Sequence, residues 1–110
     1  MSIEKDIREE DLPSCHRMVA WMIRKHTAEA PILSKDLERI YRITGPQVRQ
    51  IVRYYRLQRN PIGSGPKGYY YARTRAELEP ALNNLRSRSY IMLAEVKVLE
   101  QCFSGQQSLF

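Results

Sequence analysis

A Gly-Pro pair, Gly45-Pro46, sits between two stretches of helically spaced apolar residues and constrains the chain more than any other feature. Proline cannot continue the helix before it but suits the first turn of the helix after it, so the chain must stop, turn and restart here. Thr44 and Gln47 form a capping-box pair that satisfies orphan N–H groups at this restart. Beyond it Val48, Ile51, Val52 and Tyr55 fall at i, i+3, i+4 and i+7, one apolar stripe for burial. The opposite face is Gln47, Arg49, Gln50, Arg53, Tyr54 and Arg56, and residues 44–59 contain no acid.

Upstream, Ser34 is expected to cap a short helix whose Leu37, Ile40 and Tyr41 pack inward beside Ile43 of the turn. Residues 34–59 therefore read as a helix-turn-helix, the plain alternative being an ordinary helical hairpin in a basic protein. The formal charge is +6, and its distribution says more than its sum. Residues 35–75 carry ten bases and two acids, whereas residues 1–13 carry five acids and two bases. Positive charge gathered over the helix pair and the loop after it is the footprint of a phosphate-binding surface. Arg and Gln also make paired hydrogen bonds to guanine and adenine edges in a major groove.

Residues 1–13 read as a charged arm ending near Pro13. From Ser14 to about Thr27, Cys15, Met18, Val19, Met22 and Ile23 are helically spaced with Trp21 on the flank, and this first helix is expected to supply much of the core. Ser14 is the expected N-cap. His16, His26 and Cys15 match no zinc spacing. Ile32 and Leu33, after Pro31, suggest an isolated strand. After Arg59 comes NPIGSGPKGYYYARTR, the most turn-rich part of the chain. A strand around Ile62, a loop over residues 64–67 and a strand over residues 69–72 make a two-stranded ribbon with Lys67 at its tip. GSGPKG lacks the GxxxxGK[ST] spacing, so a nucleotide-phosphate cradle is not supported. The tyrosines alternate faces, and periodicity leaves open whether Tyr70 or the Tyr69/Tyr71 pair is core.

Helix, short strand, helix, turn, basic helix and glycine-tipped ribbon follow in that order. In this the chain resembles the winged helix-turn-helix family, and looks like small phage or prophage winged-helix proteins in which a GYYYARTRAELEP-type wing leads into a long C-terminal helix. The resemblance covers residues 14–75 and rests on element order rather than on an invariant motif. It implies that residues 44–59 are a recognition helix and residues 64–68 a wing tip. Gln47, Arg49, Gln50, Arg53 and Tyr54 would then face the major groove, Lys35, Arg56, Arg59, Lys67 and Arg73 would contact phosphates or the groove beside the wing, and Thr44 at the helix start would join the DNA-binding set.

The last segment starts with a second capping-box pair, Thr74 and Glu77. Leu78, Leu82, Leu85, Ser89, Met92, Val96, Leu99 and Phe103 then alternate spacings of four and three, a heptad seam with one polar member. Ile91, Leu93, Val98 and Cys102 widen it. A stripe of that length calls for a partner, and a second copy of the chain is the preferred one over packing back on its own core. Pro80 marks either the true helix start or a kink. The expected organisation is mainly α with a small β-ribbon: an arm over residues 1–13, a winged helix-turn-helix domain over 14–73, a dimerisation helix over 74–103 and a tail over 104–110.

Two cysteines without a CxxC partner favour a reducing, cytoplasmic setting, at the nucleoid or in the host cytoplasm if the protein is viral. No apolar run is long enough to cross a membrane, the N-terminus is unlike a signal peptide, and no catalytic, metal or cofactor constellation is found. The function expected is sequence-specific binding of double-stranded DNA by a homodimeric regulator. The alternative is a protein–protein adaptor or inhibitor on the same fold, with RNA binding a weaker third.

Overall fold

The computed structural model describes residues 12–102. Three helices, α1 (Ser14–Arg24), α2 (Ser34–Tyr41) and α3 (Gly45–Leu57), precede a hairpin of β1 (Ile62–Gly65) and β2 (Gly68–Tyr71), and α4 (Arg75–Gln101) closes the order. This is a mainly helical, winged-helix-like topology with a helix-turn-helix arrangement and a two-stranded wing. Packing divides the chain at Pro80 into two units, residues 1–80 and 81–110. The 1–11 stretch of the arm, Phe103 and the 104–110 tail lie outside the described residues.

In the first unit α3 packs against both α1 and α2, β2 lies against α1 and β1 against α3. The expected stripe is the reason: Val48, Ile51, Val52 and Tyr55 are all buried, meeting Val19 and Ile23 of α1, Leu37 of α2 and Ile62 of β1. Val19, Ile23, Leu37 and Val48 are fully enclosed, and each such side chain contributes roughly 1.5–3 kcal/mol by leaving water. Met18 and Ile40 depart from expectation. Each was placed inward by its spacing, yet Met18 is half exposed and Ile40 is 45% exposed, because helices this short bury only a narrow stripe.

The restart at Gly45-Pro46 is formed as the sequence demands. Thr44 Oγ1 accepts from Gln47 N at 3.2 Å, and Gln47 Oε1 accepts from Thr44 N at 2.8 Å, the reciprocal capping box. Ser14 and Ser34 are not caps: Pro13 and Leu33 hold those positions without a side-chain bond, and Ser34 Oγ donates to Glu38 Oε2 at 2.9 Å. At Thr74 the box is only half made. Thr74 Oγ1 accepts from Glu77 N, but the Glu77 carboxylate accepts from Arg73 N at 2.7 Å instead.

β1 pairs antiparallel with β2, Ile62 opposite Tyr71 and Gly65 opposite Gly68, so the wing turns on Pro66 and Lys67 alone and is tighter than the loop expected over residues 64–67. Ile32 adds a third rung: its N–H donates to Tyr69 O at 2.8 Å and its carbonyl accepts from Tyr69 N at 2.7 Å. Tyr70 is the core tyrosine, its hydroxyl donating to Glu77 O at 2.6 Å, while Tyr69 and Tyr71 are half-buried. Gly63 lies under the Tyr70 ring, and Gly68, at φ 124°, lies against the Ile32 carbonyl. Neither position has room for a side chain.

Helix α4 starts at Arg75 and not at Glu79-Pro80, and it continues through Pro80 into the second unit as far as Gln101. Leu85, Met92, Val96 and Leu99 of the seam are exposed, as are Tyr90, Ile91, Leu93 and Val98. Leu82 is half-buried.

Candidate nucleic-acid interface

Helix α3 is fixed by its buried stripe, so its other face has no choice but to meet solvent. Gln47, Arg49, Gln50 and Arg53 are exposed there and, with Pro46, line a shallow open depression. Arg49, Gln50 and Arg53 make no hydrogen bond or ion pair with another described residue. Arg49 and Arg53 stand one turn apart, a like-charge spacing that costs a few tenths of a kcal/mol until an anion neutralises it. Gln47 is less available than its position suggests, since the capping box occupies its Oε1 and leaves only the amide N–H groups to offer a ligand. Thr44 retains its hydroxyl proton for an acceptor such as a phosphate oxygen.

Three residues expected in the interface, Tyr54 and Arg56 on this face and Arg73 at the base of the wing, are placed otherwise. Tyr54 is 7% exposed and belongs to the core, its ring edge-on to Tyr55 at 5.0 Å between centroids. Tyr54 lies three positions after the buried Ile51, at the edge of the stripe, and so reaches the core although the stripe's spacing places it on the opposite face. Arg56 turns to the wing: its Nε donates to Ile62 O at 2.8 Å and its Nη2 to Ser64 Oγ at 3.2 Å. It therefore joins α3 to β1. Arg73 sits between two carboxylates, Glu29 at 2.9 Å and Glu77 at 3.4 Å. Its charge is already balanced, although Arg73 and Glu29 face water and their pairing is weak.

The remaining basic residues surround α3. Lys35 is exposed at the start of α2, Lys67 at the wing tip and Arg59 just after α3. Arg59 adopts φ 70° and Arg42, in the turn before α3, φ 55°. Both are left-handed positions that glycine fills most easily, and arginine there costs on the order of 1 kcal/mol. Arginine at both ends of α3, where glycine fits better, is a feature that motif reading overlooked at Arg42; its signal was a base inside the turn.

Asn60 was also overlooked. Its Nδ2 donates to Tyr55 O at 2.9 Å, closing the end of α3, and its Oδ1 accepts from Arg24 Nη2 at 3.0 Å and from the Tyr71 hydroxyl at 3.3 Å. One side chain thus ties α1, α3 and β2 together and sets the wing's root beside the helix. Arg24 further lies 5.4 Å from the Tyr71 ring centroid, and Lys25 caps the exposed Trp21 ring at 3.6 Å.

Among the described residues no group of three His, Cys, Asp or Glu is placed to hold a metal ion, and no helix is long and apolar enough to cross a membrane. Cys15 and Cys102 are free thiols. Comparison with protein-family models, with curated proteins and with solved structures finds no match to this chain.

Proposed function

We propose that the chain is a sequence-specific double-stranded DNA-binding protein, a dimeric transcriptional regulator of phage or prokaryotic type. One observation carries this reading: Arg49, Gln50 and Arg53 stand exposed and unpaired among the described residues, on one face of a helix without a carboxylate. In a major groove Arg49 and Arg53 would donate in pairs to guanine O6 and N7, and Gln50 would pair with adenine N6 and N7. Thr44, Gln47, Lys35, Arg42, Arg59 and Lys67 would hold phosphates on either side, positioning the helix without selecting sequence. Arg56 and Asn60 would act indirectly by fixing the wing to α3.

The test is duplex binding by fluorescence anisotropy over a salt series, on a target obtained by selection and on unrelated DNA. Arg53→Ala is expected to weaken the selected complex by more than about tenfold, the ~1–3 kcal/mol of one good base contact, and to weaken unrelated DNA much less. Unchanged affinity in a folded variant would place the reading surface elsewhere.

A second reading has its own support. Trp21 and Met18 of α1 are both about half exposed beside Arg17 and Arg24, along an open groove that Tyr55 also lines. An adaptor or inhibitor would use such an apolar, basic groove to hold an acidic protein segment. Absence of binding to any duplex at low salt would favour it.

A further inference from the structure

The exposed seam of the second unit carries information on how two copies would meet. Over residues 82–99, Leu82, Leu85, Ser89, Met92, Val96 and Leu99 occupy the inward heptad positions. The flanking positions that border such a seam are then Arg86, Leu93 and Glu100 on one side and Arg88, Glu95 and Cys102 on the other. We infer that residues 82–99 pair with the same segment of a second copy in antiparallel orientation, with Arg88 of each copy against Glu95 of the other. This rests on the dimeric part of the function proposed above.

Charge decides the orientation. In a parallel pair each flanking residue meets the one five positions on from the opposite side of the partner's seam. Glu95 would then face Glu100 of the second copy, twice, while Arg88 would face Leu93 and gain nothing. In an antiparallel pair like sides meet, and the same residues give two Arg88–Glu95 bridges. The only like-charged contact on the flanks, Glu79 with Glu100 of the second copy, falls at the ends of the overlap, and Glu79 already pairs with Arg75 at 3.3 Å.

The inward positions agree. An antiparallel overlap sets Leu82 against Leu99, Leu85 against Val96 and Ser89 against Met92, so every layer contains at least one large apolar side chain. A parallel pair stacks Ser89 on Ser89 in mid-seam. The Ser89 hydroxyl donates to Arg86 O of its own helix at 3.1 Å, so it enters a layer beside methionine with its proton already bonded. Met92, Val96 and Leu99 are each about half exposed or more in the single chain, and this pairing covers them.

The experiment is sedimentation equilibrium of the full chain, with circular dichroism as the folding control. Arg88→Glu and Glu95→Arg are each expected to weaken the dimer by roughly tenfold, and the double exchange to restore it to within about threefold, since two attractive pairs become repulsive and then attractive again. Tighter association of Glu95→Arg, which would relieve a Glu95–Glu100 repulsion, would overturn the orientation in favour of a parallel dimer. Ser89→Cys in a Cys15→Ser, Cys102→Ser background gives an independent reading: a parallel pair oxidises to a cross-linked dimer, and the antiparallel pair does not. A chain that stays monomeric at every concentration, or associates only with another protein, overturns the inference and the dimer with it. DNA binding lost on Arg53→Ala would still stand, because that assay reports on α3 and this one on the seam.

Discussion

Asn60 shows how much one polar side chain can organise in a small domain. It closes α3 through Tyr55 O and receives protons from Arg24 and Tyr71, three interactions from three elements. Asn60→Ala removes all three and is expected to lower the unfolding free energy by about 1–3 kcal/mol, read as a drop in the urea midpoint at unchanged slope. The aspartate variant is a finer probe, because it keeps the acceptor for Arg24 and loses the donor to Tyr55 O. None of this was legible in the sequence. An Asn before a proline marks the end of a helix, but its partners lie 36 positions upstream at Arg24 and 11 downstream at Tyr71. The residues that were legible, Thr44 and Gln47, are partners only three positions apart.

At the scale of elements, local rules held where an element's own chemistry determines it. The start of α3 followed from its cap, and the existence of α1, α2 and α4 and the presence of a wing from punctuation and periodicity, although Ser14 and Ser34 do not cap their helices. They failed where a neighbour decides: which tyrosine of the wing is buried, whether Tyr54 turns inward, and how the first turn of α4 is closed. That first turn carries a pH signature. The Glu77 carboxylate lies below its ordinary value of 4.5, chiefly because the Arg73 backbone N–H bonds its charged form, with the Arg73 guanidinium adding to the effect. A depressed carboxyl stabilises the fold fully above its unfolded value, and that contribution is lost as pH falls through the folded value. Glu77→Gln is therefore expected to be less stable than the parent at neutral pH and to converge with it as the pH is lowered through the protonation of the Glu77 carboxylate, checked by paired urea titrations.

For the whole molecule, charge and shape act together. The excess of bases over residues 35–75 lies on α2, α3, the turn between them and the wing, while Arg56 and Arg73 are engaged within the protein. Phosphate neutralisation makes binding fall steeply with salt, by about 0.9 in logarithmic slope for each phosphate contact. Lys67→Ala is expected to reduce that slope by about one and to weaken selected and unrelated duplexes alike, whereas an unchanged slope would remove the wing tip from the interface. The sequence by itself determined the element order, the buried stripe of α3 and the region where positive charge gathers, because each depends on residues within a turn or two of one another. Only the tertiary structure decided which of those charges remain available. Whether an arginine meets solvent, a carbonyl or a carboxylate depends on which distant elements the core brings beside it, and so Arg53 is left open, Arg56 is turned to the wing and Arg73 is held between Glu29 and Glu77.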